Sequence, residues 1–390
     1  CLLKFNIYRS ERENIMTALL PNVDPDGLLE FSVVFTDRSL NHMSTDFQSV
    51  MCDISKMLTS VYNTDTCAIV PGGGTFAMES VAREFATDKK VMVLRNGWFS
   101  FRWSQIFETG DIPSEVVILK AKREGDHTQS AFRPQPIEDV VDSIITEKPA
   151  VFFAPHVETS SGIILPDDYI RSIAEAVHSI GGIFVLDCIA SGCIWVDMKK
   201  NGVDVLISAP QKGWSASPCA GLVMINDFAR SKLEDTKNSS FALSLKTWVG
   251  IMDSYTNGGH AYHGTMPTDA LKEFRNAINE ASIFGFDRLK DAQQELGNKV
   301  RACLKARQIK SVAAPGFEAP GVIVSYTTDP DMQNGSKFIK KGVQIAAGVP
   351  LRCDEPDDYS TFRLGMFGLD KLYDIDGTVN RLEAVLDDIV

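Results

Sequence analysis

The stretch DVLISAPQKGWSASPCAGLVMIN, Asp204 to Asn226, sets a single lysine, Lys212, in a loop of small and polar residues between two apolar runs. An ammonium group drawn toward a protein interior is costly unless it is paired or used chemically. Earlier in the chain GIFVLD ends on Asp187, and AIVP is followed by Gly72, Gly73, Gly74 and Thr75. In an open parallel sheet, ligands bind beyond the carboxyl ends of the strands, and each of these groups follows an apolar run. Glycines let the backbone approach an anion closely, and the first turn of a helix offers free N–H groups to a phosphate. An amine, a carboxylate and an anion cradle are what pyridoxal 5′-phosphate requires: attachment for its aldehyde, a partner for its protonated ring nitrogen, and a phosphate site. A cationic environment would also hold the Lys212 pKa down, so that the amine can act as a base. The plain alternative is a surface lysine in a turn and an aspartate that caps a helix.

These groups need elements to hold them. STDFQSVMCDISKMLTSVYN spaces Phe47, Met51, Ile54 and Leu58 at helical intervals. Beyond it, the short apolar runs TCAIVP, KVMVLR, SEVVILK, PAVFFAP, GGIFVLD, VDVLIS and AGLVMIN alternate with amphipathic stretches such as TFAMESVAREFA, PIEDVVDSIIT and PDDYIRSIAEAVHSIG. That alternation predicts an α/β fold with a largely parallel sheet flanked by helices. A long helical region, TDALKEFRNAINEASIFGFDRLKDAQQELGNKVRACLKAR, precedes GVIVSYTT and a final helix, TVNRLEAVLDDIV. The expected division is an N-terminal arm over 1–43, a large cofactor domain over 44–276, and a smaller α+β domain over 277–390.

Composition narrows the function classes. The 390 residues are 44% hydrophobic and 23% charged with a formal net charge of −12, and no Lys/Arg block offers a phosphate-tracking stripe, which argues against nucleic acid as a partner. The eight cysteines form no C-x-x-C pair and sit mostly in apolar runs, the pattern of reduced thiols in a cytoplasmic protein. No run approaches the ~20 apolar residues of a membrane span. The opening CLLKFNIYRSERENIM is too short and charged for a secretory signal and reads as an extension ahead of a start at Met16. His156 and His263 lack the spacing of a metal site, so no metal is expected.

With these residues in view, the chain from about Ser44 to its C-terminus resembles the class V, fold-type I aminotransferases that depend on pyridoxal phosphate, close in pattern to the alanine–glyoxylate and serine–pyruvate group. PGGGTFAMES resembles that family's phosphate turn, which implies Gly73, Gly74 and Thr75 as donors. RNGWFSFRW resembles the segment that stacks an aromatic on the pyridine ring, implying Phe99, with Trp98 as the alternative under a one-residue slip. HVETSSG implies Thr159 near the cofactor's phenolic oxygen. VLDCIAS and SAPQKGW imply Asp187 at the ring nitrogen, Gln211 on the phosphate and Lys212 on the aldehyde carbon. AYHGTMP resembles the loop that lends a neighbouring subunit's phosphate a tyrosine and a threonine, here Tyr262 and Thr265, and so implies a homodimer with shared active sites. TFRLGMFG implies Arg363 as a bidentate clamp on the substrate carboxylate.

One departure concerns the N-terminal segment. Where the family usually carries a Pro/Gly-rich turn lining the substrate pocket, this chain reads SVVFTDRSLNHMST, with Asp37, Arg38, Asn41 and His42. Arg38 is a candidate second anion contact for a larger or doubly charged substrate, its alternative being a surface arginine on a solvated arm. The activity implied is ping-pong transfer of an amino group from a small amino acid to a 2-oxo acid, glyoxylate or pyruvate. The alternatives are a lyase or cysteine desulfurase on the same cofactor, for which Cys353 is the candidate thiol, and a cofactor-binding scaffold without turnover.

Overall fold

The structure, a computed structural model, describes residues 28–36 and 38–390. The first part of the expected arm, with Met16, and Asp37 lie outside the described residues. The helices that position the site are α1 (Thr45–Tyr62), α2 (Gly74–Phe85), α3 (Trp98–Gly110), α4 (Ile137–Glu147), α5 (Asp167–Ser179), α6 (Leu245–Thr256), α7 (Thr268–Phe284), α8 (Phe286–Ala306) and α9 (Ile375–Ile389). α1 shows how the sequence sets their limits. The Ser44 side chain accepts from Phe47 N at its start, Asn63 takes a left-handed φ of 49° at its end, and Phe47, Met51, Ile54 and Leu58 face inward.

Seven strands form the central sheet: β1 (Thr66–Pro71), β2 (Lys90–Arg95), β3 (Glu115–Lys120), β4 (Val151–Pro155), β5 (Ile183–Asp187), β6 (Val205–Ser208) and β7 (Ala220–Ile225), in the order β1-β7-β6-β5-β4-β2-β3. Only β7 runs against its neighbours, pairing antiparallel with β1 and β6; the other pairings are parallel. The exception has a local cause. No helix separates β6 from β7, so the chain turns back directly, and the turn that reverses it carries Lys212. Register aligns Asp187 with Pro155 on one side and Ile207 on the other, which brings the strand ends to one edge.

The helices pack around this sheet over a core that includes Phe85, Trp103, Phe152 and Phe184, all 0% exposed. The C-terminal region adds an antiparallel sheet of β8 (Val322–Tyr326), β9 (Ala346–Ala347) and β10 (Thr361–Gly365), in the order β8-β10-β9, with its own cluster under α8 and α9. The long helical region expected after residue 268 is two helices. It breaks at Gly285, whose φ of +98° is open to glycine and strained for a side chain. The boundary expected at residue 277 falls inside α7, where Ile278 packs into the first cluster and Ala281 into the second. No helix among the described residues is long and apolar enough to cross a membrane.

Candidate active site

Beyond the ends of β4, β5 and β6 lies a cavity of about 180 Å³. Among the residues expected to do chemistry, Gly74, Thr75, Phe99, Thr159, Asp187, Gln211 and Lys212 line it. They come from five separate segments, and the parallel register of the sheet is what makes them neighbours.

The glycine turn works by close packing. Gly73 caps α2 in an extended conformation, and Gly74 opens the helix. A Cβ on Gly74 would stand 2.5 Å from Ile189 Cδ1, so the turn closes only with glycine there, whereas a Cβ on Gly73 would meet nothing within 4 Å. The N-terminal N–H groups of α2 are thereby presented beside Thr75 at the cavity wall.

The aromatic segment is fixed by a residue that sequence reasoning passed over. Glu158 is 0% exposed, and its carboxylate accepts from Phe99 N at 3.1 Å, Ser100 N at 2.9 Å and Ser100 Oγ at 2.6 Å, besides Ser160 N and Oγ. It thus caps α3 from outside the helix, meeting the free N–H groups of its first turn. Gly97 makes the approach possible, because a Cβ there would lie 2.0 Å from Ser160 Oγ. Held this way, Phe99 lines the cavity. Trp98 instead packs against Phe101 and under the Arg352 guanidinium.

Asp187 is 8% exposed. Its Oδ1 accepts from Ile189 N at 2.9 Å, and it forms no ion pair among the described residues. Burial pushes its carboxyl up to about 7, the Ile189 N–H opposing and the nearby Glu158 adding to the rise. Lys212 is half-buried and likewise lacks an acidic partner among the described residues. Its pKa is lowered by burial first and then by Arg363 and Arg102, and its Nζ lies 5.1 Å from the centre of the Phe367 ring. Gln211 Oε1 is buried without a hydrogen-bond partner among the described residues. A buried acid without an ion pair, an amine whose pKa is lowered and an orphaned amide oxygen are donors and acceptors with work undone. They fit pyridoxal phosphate, with its ring N–H, aldehyde and phosphate.

The remaining expected residues are placed differently. Arg363 stands on β10 beside the cavity. Its Nε donates to Ala347 O at 2.8 Å, its Nη1 to Thr159 O at 3.5 Å, and its guanidinium lies 5.5 Å from the centre of the Phe99 ring. Tyr262 and Thr265, between α6 and α7, do not line the cavity. Their hydroxyls bond each other at 3.0 Å and Tyr262 is 54% exposed. A separate depression joins Thr265 to Phe76, Phe241, Trp248 and His263, and Phe76 and Phe241 are 51% and 81% exposed. Arg38 is exposed and outside the cavity. Asn41 and His42 are buried instead of lining a pocket, tied down by Asn41 Nδ2 on Glu30 and by the Tyr255 hydroxyl on His42 O.

Arg102 was also passed over. It lines the cavity and donates from Nη1 to Thr75 Oγ1 at 3.0 Å. One signal was available: three residues after Phe99 in a helix lies the same face. His156 packs at the end of β4, its Nδ1 2.7 Å from Ser191 Oγ, with burial lowering its pKa to about 4. Cys353 is 4% exposed, its Sγ 3.3 Å from Arg95 O, and burial pushes its thiol up to about 12.

Comparison with known proteins agrees with this geometry. Residues 29–356 match the family described as aminotransferase class-V. Among curated proteins, alanine–glyoxylate aminotransferase 1 of Saccharomyces cerevisiae is 26% identical over 336 residues, covering 80% of this chain and 82% of the relative. A 2-aminoethylphosphonate–pyruvate transaminase of Syntrophobacter fumaroxidans is 27% identical over 333 residues, covering 83% and 84%. Among solved structures, the alanine–glyoxylate aminotransferase of Nostoc sp. superposes with a TM-score of 0.74 at 20% identity, over 88% of each chain. At that identity the likeness speaks for the fold.

Proposed function

The chain belongs to the class-V aminotransferase family, and on that premise we propose that it moves an amino group from a small amino acid to a 2-oxo acid, glyoxylate or pyruvate, by a ping-pong cycle on pyridoxal phosphate. The observation that carries the reading is that Lys212, its pKa lowered by burial, and a buried Asp187 without an ion pair among the described residues line one cavity. The names of the relatives, two of which specify glyoxylate or pyruvate as acceptor, support the acceptor class.

Bound in this cavity, pyridoxal phosphate would supply the electron sink that acidifies an amino acid's α-proton and carries the amino group between the two half-reactions. The chain's residues do the rest. Lys212 Nζ would hold the aldehyde and move the α-proton, and burial with two neighbouring guanidinium groups lowers its pKa in the direction a base needs. Asp187 would hold the proton on the ring nitrogen, and the low polarity that raises its own pKa would strengthen that ion pair. Phe99 would stack on the ring, and the Thr159 hydroxyl would serve the phenolic oxygen. Gly73, Gly74, Thr75 and Gln211 would receive the phosphate. Arg363 grips the donor's carboxylate. It lies beyond the stretch that matches the family, so its role rests on its place beside Phe99 and Thr159.

We also propose a homodimer in which Tyr262 and Thr265 complete the partner's phosphate site. The exposed Tyr262–Thr265 pair and the bare rings of Phe76 and Phe241 around it support this, since aromatic side chains left in water on one face mark a contact surface. The division at residue 277 remains our proposal for the domains, with α7 shared between them. A desulfurase is disfavoured, because Cys353 is buried and protonated where that chemistry needs an accessible thiolate. Arg38, exposed as it is, would reach substrate only across a dimer contact.

A half-reaction screen tests the function. Purified protein loaded with pyridoxal phosphate is mixed with single amino acids and no acceptor. Conversion of the bound cofactor to its amine form, with release of the matching oxo acid, is expected for small α-amino acids. Release of sulfide and alanine from cysteine, or no response to any donor, would overturn the assignment.

A further inference from the structure

Among the side chains at the cavity, Arg102 has no duty in the reaction outlined above. Its contacts there are the neutral Thr75 hydroxyl, 3.0 Å from Nη1, and the face of Phe99, 5.1 Å from its guanidinium carbon; at longer range its guanidinium also opposes the rise of the Asp187 pKa and lowers that of Lys212. It forms no ion pair among the described residues. The charges around it are unbalanced: Lys212 and Arg363 stand near, and the other acid of the region, Glu158, is consumed by the start of α3. That leaves Asp187 as the one carboxylate on the cavity wall. A site with more cations than anions on a low-dielectric wall is built for an anionic ligand.

Position says which anion. Thr75 belongs to the first turn of α2, where backbone N–H groups converge, and Arg102 reaches it from α3, so the guanidinium closes over the same turn from a second helix. Gly73, Gly74, Thr75 and Gln211 are all uncharged, and a phosphate monoester carries close to two negative charges at neutral pH. Arg363, by contrast, is on β10, held by Ala347 O and Thr159 O, with the proposed carboxylate duty.

We propose that Arg102 is the charged ligand of the cofactor's phosphate, swinging from Thr75 Oγ1 to a phosphate oxygen while Thr75 turns its freed hydroxyl to another. The inference rests on the pyridoxal phosphate reading and adds to it a residue from α3 that ties the phosphate turn to the ring-stacking helix. A bound phosphate then cross-links α2 and α3, and Phe99 is fixed in the same event.

The test compares equilibrium binding of pyridoxal phosphate with that of pyridoxal, which lacks the phosphate, in wild type, Arg102→Gln and Arg102→Lys, followed by the visible absorbance of the Lys212 adduct. A lost charge-assisted contact of this kind should weaken pyridoxal phosphate roughly 10- to 100-fold in Arg102→Gln. Pyridoxal should change less than about 3-fold, and Arg102→Lys should recover part of the loss because charge returns without the fork. Equal weakening of both compounds would mean that Arg102 merely props Phe99, and would overturn the proposal. So would unchanged pyridoxal phosphate affinity with a raised KM for substrates bearing a second acidic group. If Arg102→Gln does not fold, Arg102→Lys decides alone by the same ratio. A wild-type protein that takes up neither compound would remove the functional reading itself.

Discussion

Two sides of the same cavity are finished to different degrees. On the Asp187 side the framework is braced: Ile189 N fixes the carboxylate, Glu158 pins α3, and Phe99, Thr159 and Lys212 meet at one wall. On the Tyr262 side the hydroxyls of Tyr262 and Thr265, exposed and outside the cavity, bond only to each other among the described residues. The first side is built by a sheet, whose register positions residues far apart in sequence. The second hangs on a connection between helices with no sheet to brace it. Chemistry that must be fixed to a fraction of an ångström belongs on a braced side, and the other side is the one that the proposed dimer would complete.

The largest effect should come from the braced side. With the proposed roles of Lys212 in attachment and proton transfer, Lys212→Ala should lower turnover by roughly 10⁴-fold or more, and borohydride reduction should leave no covalent adduct. A labelled cofactor still attached after denaturation would show that another amine does the work.

Asp187→Asn comes next, with turnover reduced about 10²- to 10⁴-fold because the ring nitrogen loses its proton-holding partner. The same variant probes burial. In the cofactor-free protein the Asp187 carboxyl titrates near 7, against about 3.9 for an unfolded aspartate, so the folded state binds more protons than the unfolded state between those values. Its contribution to stability is therefore intact below about pH 4 and is lost as pH rises through 7. Cofactor-free Asp187→Asn should be more stable than wild type by on the order of a few kcal/mol at pH 8 and level with it near pH 4. Parallel stability curves across that range would mean that the carboxylate is not desolvated.

Subunit mixing sharpens the other half of the comparison. Lys212→Ala and Thr265→Glu chains, each inactive, are allowed to exchange. With shared sites each hybrid holds one intact site, and random pairing should restore about a quarter of wild-type activity. Proven exchange with no recovery would return Tyr262 and Thr265 to their own chain. The smallest change is expected from Cys353→Ser: a buried, protonated thiol takes no part in transamination, and turnover should stay within about 2-fold. A loss of ten-fold or more would reopen the sulfur chemistry.

What was legible in the sequence followed from periodicity and from what ends each strand. Seven apolar runs gave seven strands, and the polar residues after them gave Asp187, Thr159 and the Lys212 loop. Two kinds of information were hidden. The break at Gly285 lies inside a helical pattern that stays amphipathic on both sides, so periodicity alone does not register it. Glu158 and Arg102 sat in segments already quoted, but their importance depends on which helix end or hydroxyl lies across from them in space, and spacing along one segment does not contain that. Phe99 and Trp98, adjacent and equally aromatic, were separated only once Glu158 fixed the phase of α3.

The Glu158–Gly97 junction also sets a limit on how this protein can be remodelled. With the carboxylate occupied by five donors and no room for a single methyl at Gly97, α3 cannot tilt or slide to admit a bulkier donor. Selection for new substrates, natural or in the laboratory, would have to act on wall residues outside these two segments, such as Met78 and Ala190. A library randomising 96–100 or 158–160 should return mostly misfolded clones.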